Sequence, residues 1–300
     1  MNLWQKISYY LLIGVCKAVG CLPYYFLYYF LLEIIFFLIY RIFRYRLRVV
    51  RTNLRNSFSE KSRHALKRIE RKFYRHLAEL FIDIPVICAL SCEKMKRRYV
   101  FIDNDKHEKA VAGKTWIGAL AHYGSWEYMI NYKLYTDHDV AAVYKPLHNP
   151  VFEKFYFYLR SRCGATPVAM DDIPKVVINS RRENTKPIVI ALISDQTPPE
   201  HAIHHWFHFL GQKTAFHMGM EKIALKYNVP VFFEGVRKIK PGYYTGEFFV
   251  LYDGEEKLEE FELTQRYADH LERMIEAAPE LWLWSHKRWK HQPREEIKYR

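Results

Sequence analysis

In the stretch Trp116-Ile-Gly-Ala-Leu-Ala-His122-Tyr-Gly-Ser-Trp-Glu127, an apolar run ends on a histidine, a short turn containing Gly124 follows, and an acid arrives five residues after the histidine. Positions five apart on a regular helix do not share a face. His122 therefore belongs on a strand-end loop, with Glu127 in the first turn of the next helix. From there a carboxylate can accept the Nδ1 proton and leave Nε2 free as a base, the arrangement needed to deprotonate a hydroxyl as it attacks an acyl carbonyl or thioester. The pattern is short, and a histidine that merely hydrogen-bonds at a strand end is its bland alternative.

Outward from this stretch, short apolar runs alternate with helical periodicity. Strands are predicted over 115–121, 140–144, 166–170, 187–193, 230–236 and 247–252, and helices over 128–134, 149–162, 173–183, 214–227 and 263–277. Strands apolar on both faces and alternating with helices imply an α/β fold, a mixed, largely parallel sheet flanked by helices. Upstream, Leu66, Ile69, Phe73, Leu77, Leu80, Phe81 and Ile84 recur at helical steps and mark an amphipathic helix over 61–90 with a basic polar face. No Gly/Ser linker or internal repeat interrupts the chain after that. The expected organisation is an N-terminal membrane anchor and basic juxtamembrane segment over 1–60, followed by one catalytic domain over 61–300.

The anchor is read from residues 18–40, whose only formal charge is Glu33, followed by Arg41, Arg44, Arg46, Arg48, Arg51 and Arg55. The run is long enough to span a bilayer core. By the positive-inside rule the arginines hold the catalytic domain in the cytoplasm. Tyr24, Tyr25, Tyr28, Tyr29, Tyr40 and Tyr45 suit the membrane interface, while Glu33 and Pro23 leave open a helix lying on the membrane or packed on the body. A cleaved signal is not expected, since Lys17 interrupts the apolar run and Ala18-Val-Gly-Cys21 is a poor lipoprotein box. The chain's 300 residues, half of them apolar, can bury one sizeable core, and 46 Lys and Arg against 33 Asp and Glu give a net charge of +13. That charge favours phosphate-rich partners, nucleic acid or anionic lipid. Cys16, Cys21, Cys88, Cys92 and Cys163 form no C-x-x-C pair and read as reduced, buried thiols.

Further blocks join the first: Arg51-Thr-Asn53-Leu54, Val143-Tyr-Lys-Pro-Leu-His-Asn149-Pro150, Leu159-Arg160-Ser-Arg162-Cys-Gly164, Ser194-Asp195-Gln196, Phe207-His-Phe209-Leu-Gly211, and Pro279-Glu-Leu-Trp282-Leu-Trp284-Ser-His286-Lys-Arg288-Trp289-Lys290. In this order, over nearly the whole chain, they resemble the late lipid A biosynthesis acyltransferases of the lysophospholipid acyltransferase superfamily. That family carries a block like H-F-G-N-W-E; here Tyr123 and Ser125 replace the commoner Phe and Asn and spare the His and Glu.

The resemblance implies a glycerol-phosphate-acyltransferase-like fold and transfer of a fatty acyl chain from an acyl carrier protein thioester to a hydroxyl of a lipid A precursor, at the inner membrane with the catalytic domain facing the cytoplasm. His122 would be the general base and Glu127 its orienting partner. Arg160 would bind an anion or a developing oxyanion, unless it only makes a helix-face ion pair. Asp195 would position substrate or Arg160, unless it only caps the segment before Pro198 and Pro199. Arg162 and Lys145 are further phosphate candidates, and Ser125 reads as turn chemistry because no G-x-S-x-G elbow surrounds it. No metal or cofactor is implied; His201, His204, His205, His208 and His217 lack the spacing of a zinc site. Over 282–300, a helix would pack Trp282 and Trp284 inside and show Lys287, Arg288 and Lys290 to lipid phosphates. Two rivals stay open: another membrane-lipid acceptor (an amino-acid-containing lipid, a lysophospholipid or a glycolipid), and a membrane-tethered nucleic-acid binder resting on charge and aromatic content.

Overall fold

A computed structural model of the chain describes residues 1–180, 182 and 185–293. In chain order its helices are α1 (Leu3–Gly20), α2 (Leu32–Phe37), α3 (Leu47–Ser57), α4 (Arg63–Ala89), α5 (Cys92–Lys96), α6 (Asn104–Ala110), α7 (Pro150–Ser161), α8 (Ile173–Asn179), α9 (Gly219–Tyr227) and α10 (Glu262–Ala277). Its strands are β1 (Tyr99–Phe101), β2 (Trp116–Leu120), β3 (Asp139–Tyr144), β4 (Thr166–Ala169), β5 (Ile188–Ile193), β6 (Phe207–Phe209), β7 (Gln212–Thr214), β8 (Val231–Lys240) and β9 (Tyr243–Tyr252).

Seven strands form one sheet in the order β1-β9-β8-β2-β5-β3-β4, in which β8–β9 is the antiparallel pair and every other pairing is parallel. The centre is β2, buried at every position between β5 and β8. A mixed, largely parallel sheet flanked by helices is the predicted α/β architecture. All six predicted strands are present; β8 and β9 run longer than expected, and the short β1 and the β6–β7 hairpin were not anticipated because three-residue strands carry too little periodicity. The helix predicted from residue 128 is a 3₁₀ helix, Trp126–Leu134. Part of the helix predicted over 173–183, and residues 294–300 of the predicted C-terminal helix, lie outside the described residues. Residues 282–293 are not helical.

The N-terminal region bears on the choice left open between a spanning helix and one lying on the membrane or packed on the body: among the described residues no single helix is long and apolar enough to cross a membrane. Phe26–Ile42 and Leu47–Ser57 pass that test only together, and they are bent by 89° at the break. The bend falls where Arg44 and Arg46 adopt positive φ. One face of the first of these, Leu27, Tyr28, Leu32, Phe36 and Tyr40, is buried in the main core, while Phe26, Tyr29, Phe30, Ile34 and Phe37, with Tyr25 just before them, stay exposed. The buried face is tied to α4 by Tyr40 Oη donating to Glu70 Oε1 (2.8 Å) and Tyr28 Oη to Asp83 Oδ1 (2.6 Å), and Glu33 pairs with Arg75 (2.6 Å). α1 crosses α4 so closely that a Cβ on Gly20 would lie 2.1 Å from Pro85 O. Core packing is continuous across residue 60, with the Asn53 side-chain amide donating to Trp284 O and His286 O (2.9 Å each).

The expectation of five reduced thiols is also corrected. Cys92 and Cys163 form a disulfide between the start of α5 and the end of α7, with Cα atoms 5.8 Å apart, leaving Cys16, Cys21 and Cys88 free. Their sequence separation of 71 residues gives no sign of this, because only the packing of α5 against the chain after α7 brings them together.

Candidate active site

Strands β2 and β5 run side by side in parallel with Leu120 opposite Ile193. Two residues beyond each strand, at the carboxyl edge where α/β proteins build their sites, stand His122 and Asp195. The His122 Nδ1–H donates to Asp195 Oδ1 (2.7 Å), and the His122 backbone N–H donates to Asp195 Oδ2 (3.0 Å). Trp282 Nε1 donates to the same Oδ2 (2.8 Å). Burial alone would raise the Asp195 pKa, but the His122 charge and these three donors outweigh it and hold the carboxyl below its usual range. Asp195 is 2% exposed and His122 20%, so the ring reaches outward from a buried anchor. With Nδ1 protonated, Nε2 is the acceptor, and the Gln196 amide Nε2 lies 3.2 Å from it. The Trp126 ring stands edge-on to the imidazole, centroids 5.0 Å apart.

This corrects the expected pairing: the carboxylate on Nδ1 belongs to Asp195 and not to Glu127. Glu127, in the 3₁₀ helix, forms a two-pronged ion pair with Arg160 of α7, Arg160 Nε to Oε2 at 3.0 Å and Nη2 to Oε1 at 2.6 Å. The guanidinium also lies over the Tyr156 and Tyr144 rings at 5.3 and 5.8 Å. Burial would lower the Arg160 pKa, but the Glu127 charge and hydrogen bonds raise it. A small cavity of about 40 Å³, walled by Leu120, Met129, Ile130 and Val140, adjoins this pair. The fold therefore gathers four expected residues into two pairs, His122–Asp195 and Glu127–Arg160.

Two others are placed elsewhere. Arg162 donates to Ile87 O and to Leu90 O (2.6 Å), satisfying carbonyls left open at the end of α4, so it is not among the residues gathered around His122. Lys145 is exposed on the loop after β3 and makes no ion pair among the described residues. Arg288, expected at the surface, is 2% exposed, with Nη1 on Thr197 Oγ1 (3.3 Å) and its guanidinium 4.4 Å from the Phe216 ring; burial lowers its pKa to about 10. The histidines after Asp195 do not converge: His205 stacks on Phe261 (4.4 Å) and His204 faces Lys222, and among the described residues no three His, Cys, Asp or Glu are placed to hold a metal ion.

The turn after His122 is held from two sides. From the C-terminal segment, Leu281 O accepts from Gly124 N (3.0 Å), Leu283 N donates to His122 O (3.1 Å), and Tyr123 bridges to Trp282. Tyr123 Oη donates to Met274 O (3.0 Å) and Ala278 O (3.1 Å) at the end of α10. Gly124 has φ +58°, and a Cβ there would press on Val236 (3.1 Å), so the sharp turn requires glycine. From α4, His76 Nε2–H donates to Gly124 O (3.3 Å); burial and the Lys238 charge push the His76 pKa down to about 4, which keeps it neutral. One and two helical turns on, Glu79 and Asp83 continue the same polar stripe. Glu79 accepts from Lys238 Nζ, Gly242 N (2.9 Å) and Tyr244 Oη (2.6 Å). Asp83 lies beneath Ser125, and burial and the Glu79 charge push its pKa up to about 7. This stripe was not expected from the sequence, although three polar residues on the apolar face of an amphipathic helix were the available signal. Nor was any part expected of Gln196, and Trp282 was expected only to pack.

A histidine held on a buried carboxylate at the carboxyl edge of a largely parallel α/β sheet, with an arginine–carboxylate pair beside it, is the arrangement the fold presents. The chain belongs to the bacterial lipid A biosynthesis acyltransferases, whose family model matches residues 2–291. A search of curated proteins finds no match to it.

Proposed function

We propose that this acyltransferase moves a fatty acyl chain from an acyl carrier protein thioester to a hydroxyl of a lipid A precursor, with His122 as general base. The observation that carries the reading is the His122–Asp195 pair at the sheet edge, its imidazole partly exposed over the buried carboxylate, in a chain of this family. The acceptor hydroxyl displaces the Gln196 amide from His122 Nε2 and gives up its proton there as its oxygen attacks the thioester carbon. Collapse of the tetrahedral adduct breaks the C–S bond, and the leaving thiolate takes the proton back from the imidazolium. Asp195 offsets the imidazolium charge and holds the tautomer. Glu127 takes Nε and Nη2 of Arg160 and leaves Nη1 for the oxyanion or a sugar phosphate. Glu127 thereby acts through Arg160. No bound cofactor enters these steps.

The exposed apolar face of Phe26–Ile42 and the arginines after it suit a helix lying in the membrane interface, with the catalytic edge on the cytoplasmic side, where the acidic carrier protein meets a basic enzyme. The test is acyl transfer from acyl carrier protein to a tetra-acylated lipid A precursor in detergent, comparing native protein with His122→Ala and Asp195→Ala. Addition of one chain, lost in both folded variants, supports the reading. Thioester hydrolysis without transfer sinks the acceptor, and full activity in the variants sinks the mechanism.

A further inference from the structure

On the other side of the catalytic segment lies a second, larger recess of about 700 Å³ between α10 and the β8–β9 pair. Tyr123 forms part of its wall, whereas the preceding residue, His122, at the bend closed by Tyr123 N donating to Ala121 O (2.8 Å), turns to Asp195. Its floor is apolar: Phe233 and Phe249 flank His270 with ring centroids 5.4 and 5.9 Å away, and Val236, Met274 and Leu281 complete it. The gap exists because the facing positions are small. Gly235 is covered by the Phe249 ring, which lies 2.6 Å from where a Cβ would be, and Ala277 and Ala278 face it from the end of α10.

The rim is basic. Arg237, Lys240 and Arg273 make no ion pair among the described residues, while Glu280 is already paired with Lys72 (3.2 Å), leaving Glu247 as the opposing charge. Burial and the Arg273 charge lower the pKa of His270, which lies among these groups. The mouth opens beside the exposed apolar face of the N-terminal region. Ile239 is 60% exposed, the turn after Lys240 accepts a hydrogen bond from Tyr24 Oη to Pro241 O (3.0 Å), and the neighbouring Tyr25 is 75% exposed. An apolar floor under unpaired cations, opening next to a surface suited to the bilayer interface, matches the chemistry of an amphiphile with a fatty chain and an anionic head.

We propose that this recess binds one anionic glycerophospholipid of the bilayer, with a fatty chain along Phe233, Phe249 and Met274 and the phosphate at Arg237, Lys240 and Arg273. The proposal rests on the interfacial placement of the N-terminal apolar face, but not on the transfer chemistry. Full-length protein in detergent, titrated with phosphatidylglycerol or phosphatidylcholine and observed by native mass spectrometry, should retain one phosphatidylglycerol about tenfold more tightly. Arg237→Glu with Arg273→Glu should reduce that binding to the phosphatidylcholine level, and Ala277→Trp, a substitution at an exposed position, should abolish it. His122→Ala should leave it unchanged. Failure of native protein to retain phosphatidylglycerol, equal retention of both lipids, or binding indifferent to both sets of substitutions would overturn the proposal. Displacement of phosphatidylglycerol by the tetra-acylated precursor would overturn it too, assigning the recess to the acceptor. Acyl transfer measured on the same samples reports the active site separately.

Discussion

At the residue scale, the proposed chemistry depends on which carboxylate touches His122. Because Asp195 holds Nδ1 and Glu127 holds Arg160, their substitutions should have different signatures. Asp195→Asn keeps the shape but offers the ring the wrong partner, so kcat should fall on the order of 10²–10⁴-fold with little change in KM. Glu127→Gln weakens the charge that orients Arg160; kinetics with varied acceptor should show a rise in KM or a loss confined to anionic acceptors. Equal loss of kcat in both, with KM unchanged, would return Glu127 to the imidazole. His122 and Glu127 were legible because they share one short block, and Asp195 was noticed as a polar residue closing an apolar strand. Its pairing was not legible, since 73 residues separate it from His122 and only the β2–β5 register brings them together.

At the element scale, α4 does more than cover the sheet, because its His76–Glu79–Asp83 stripe supports the turn that carries His122. Asp83 titrates at about 7 in the fold and near 3.9 in an unfolded chain. Between those values the folded state holds a proton that the unfolded state has lost, so stability falls as pH rises from about 4 to 7 and then levels. Asp83→Asn removes this group's share of the fall. Thermal melts between pH 5 and 8 should therefore show the variant gaining on native protein as pH rises to 7, with a smaller slope remaining from Glu234, another buried acid raised to about 7. A gap independent of pH would show that Asp83 is ionised throughout. The disulfide gives a second test at this scale. Cys92→Ser in oxidised protein should lower Tm by roughly 5–10 °C. A reducing cytoplasm would keep the pair open, and thiol trapping in cells reads its state directly. Helix periodicity made α4 visible in the sequence, but its buried polar stripe is intelligible only once the turn beneath it is known.

At the scale of the whole molecule, the apolar N-terminal run is divided between two surroundings: one face enters the core and the other is exposed. The alternation of apolar runs and helices announced the α/β sheet, and hydropathy gave the expectation of a membrane anchor. Hydropathy could not separate a spanning helix from one docked on α4, because both are written in the same residues; the contacts of Tyr28, Tyr40 and Glu33 with the body became visible only in the fold. The exposed face and the basic flank predict that purified protein sediments with vesicles rich in phosphatidylglycerol. Binding should weaken as salt rises from about 50 to about 500 mM, and Phe26→Ser with Phe30→Ser should reduce it at every salt concentration. Salt-insensitive binding would indicate insertion across the bilayer.

The Cys92–Cys163 bond has a topological consequence. It closes a covalent ring that carries His122, Glu127 and Arg160, while Asp195, Gln196 and Trp282 sit on the open tail after it. In the proposed mechanism, catalysis therefore depends on a seam between a closed loop and a free strand. A single backbone cut anywhere in the ring leaves both fragments in one molecule, whereas a cut between residues 163 and 195 separates the histidine from its carboxylate.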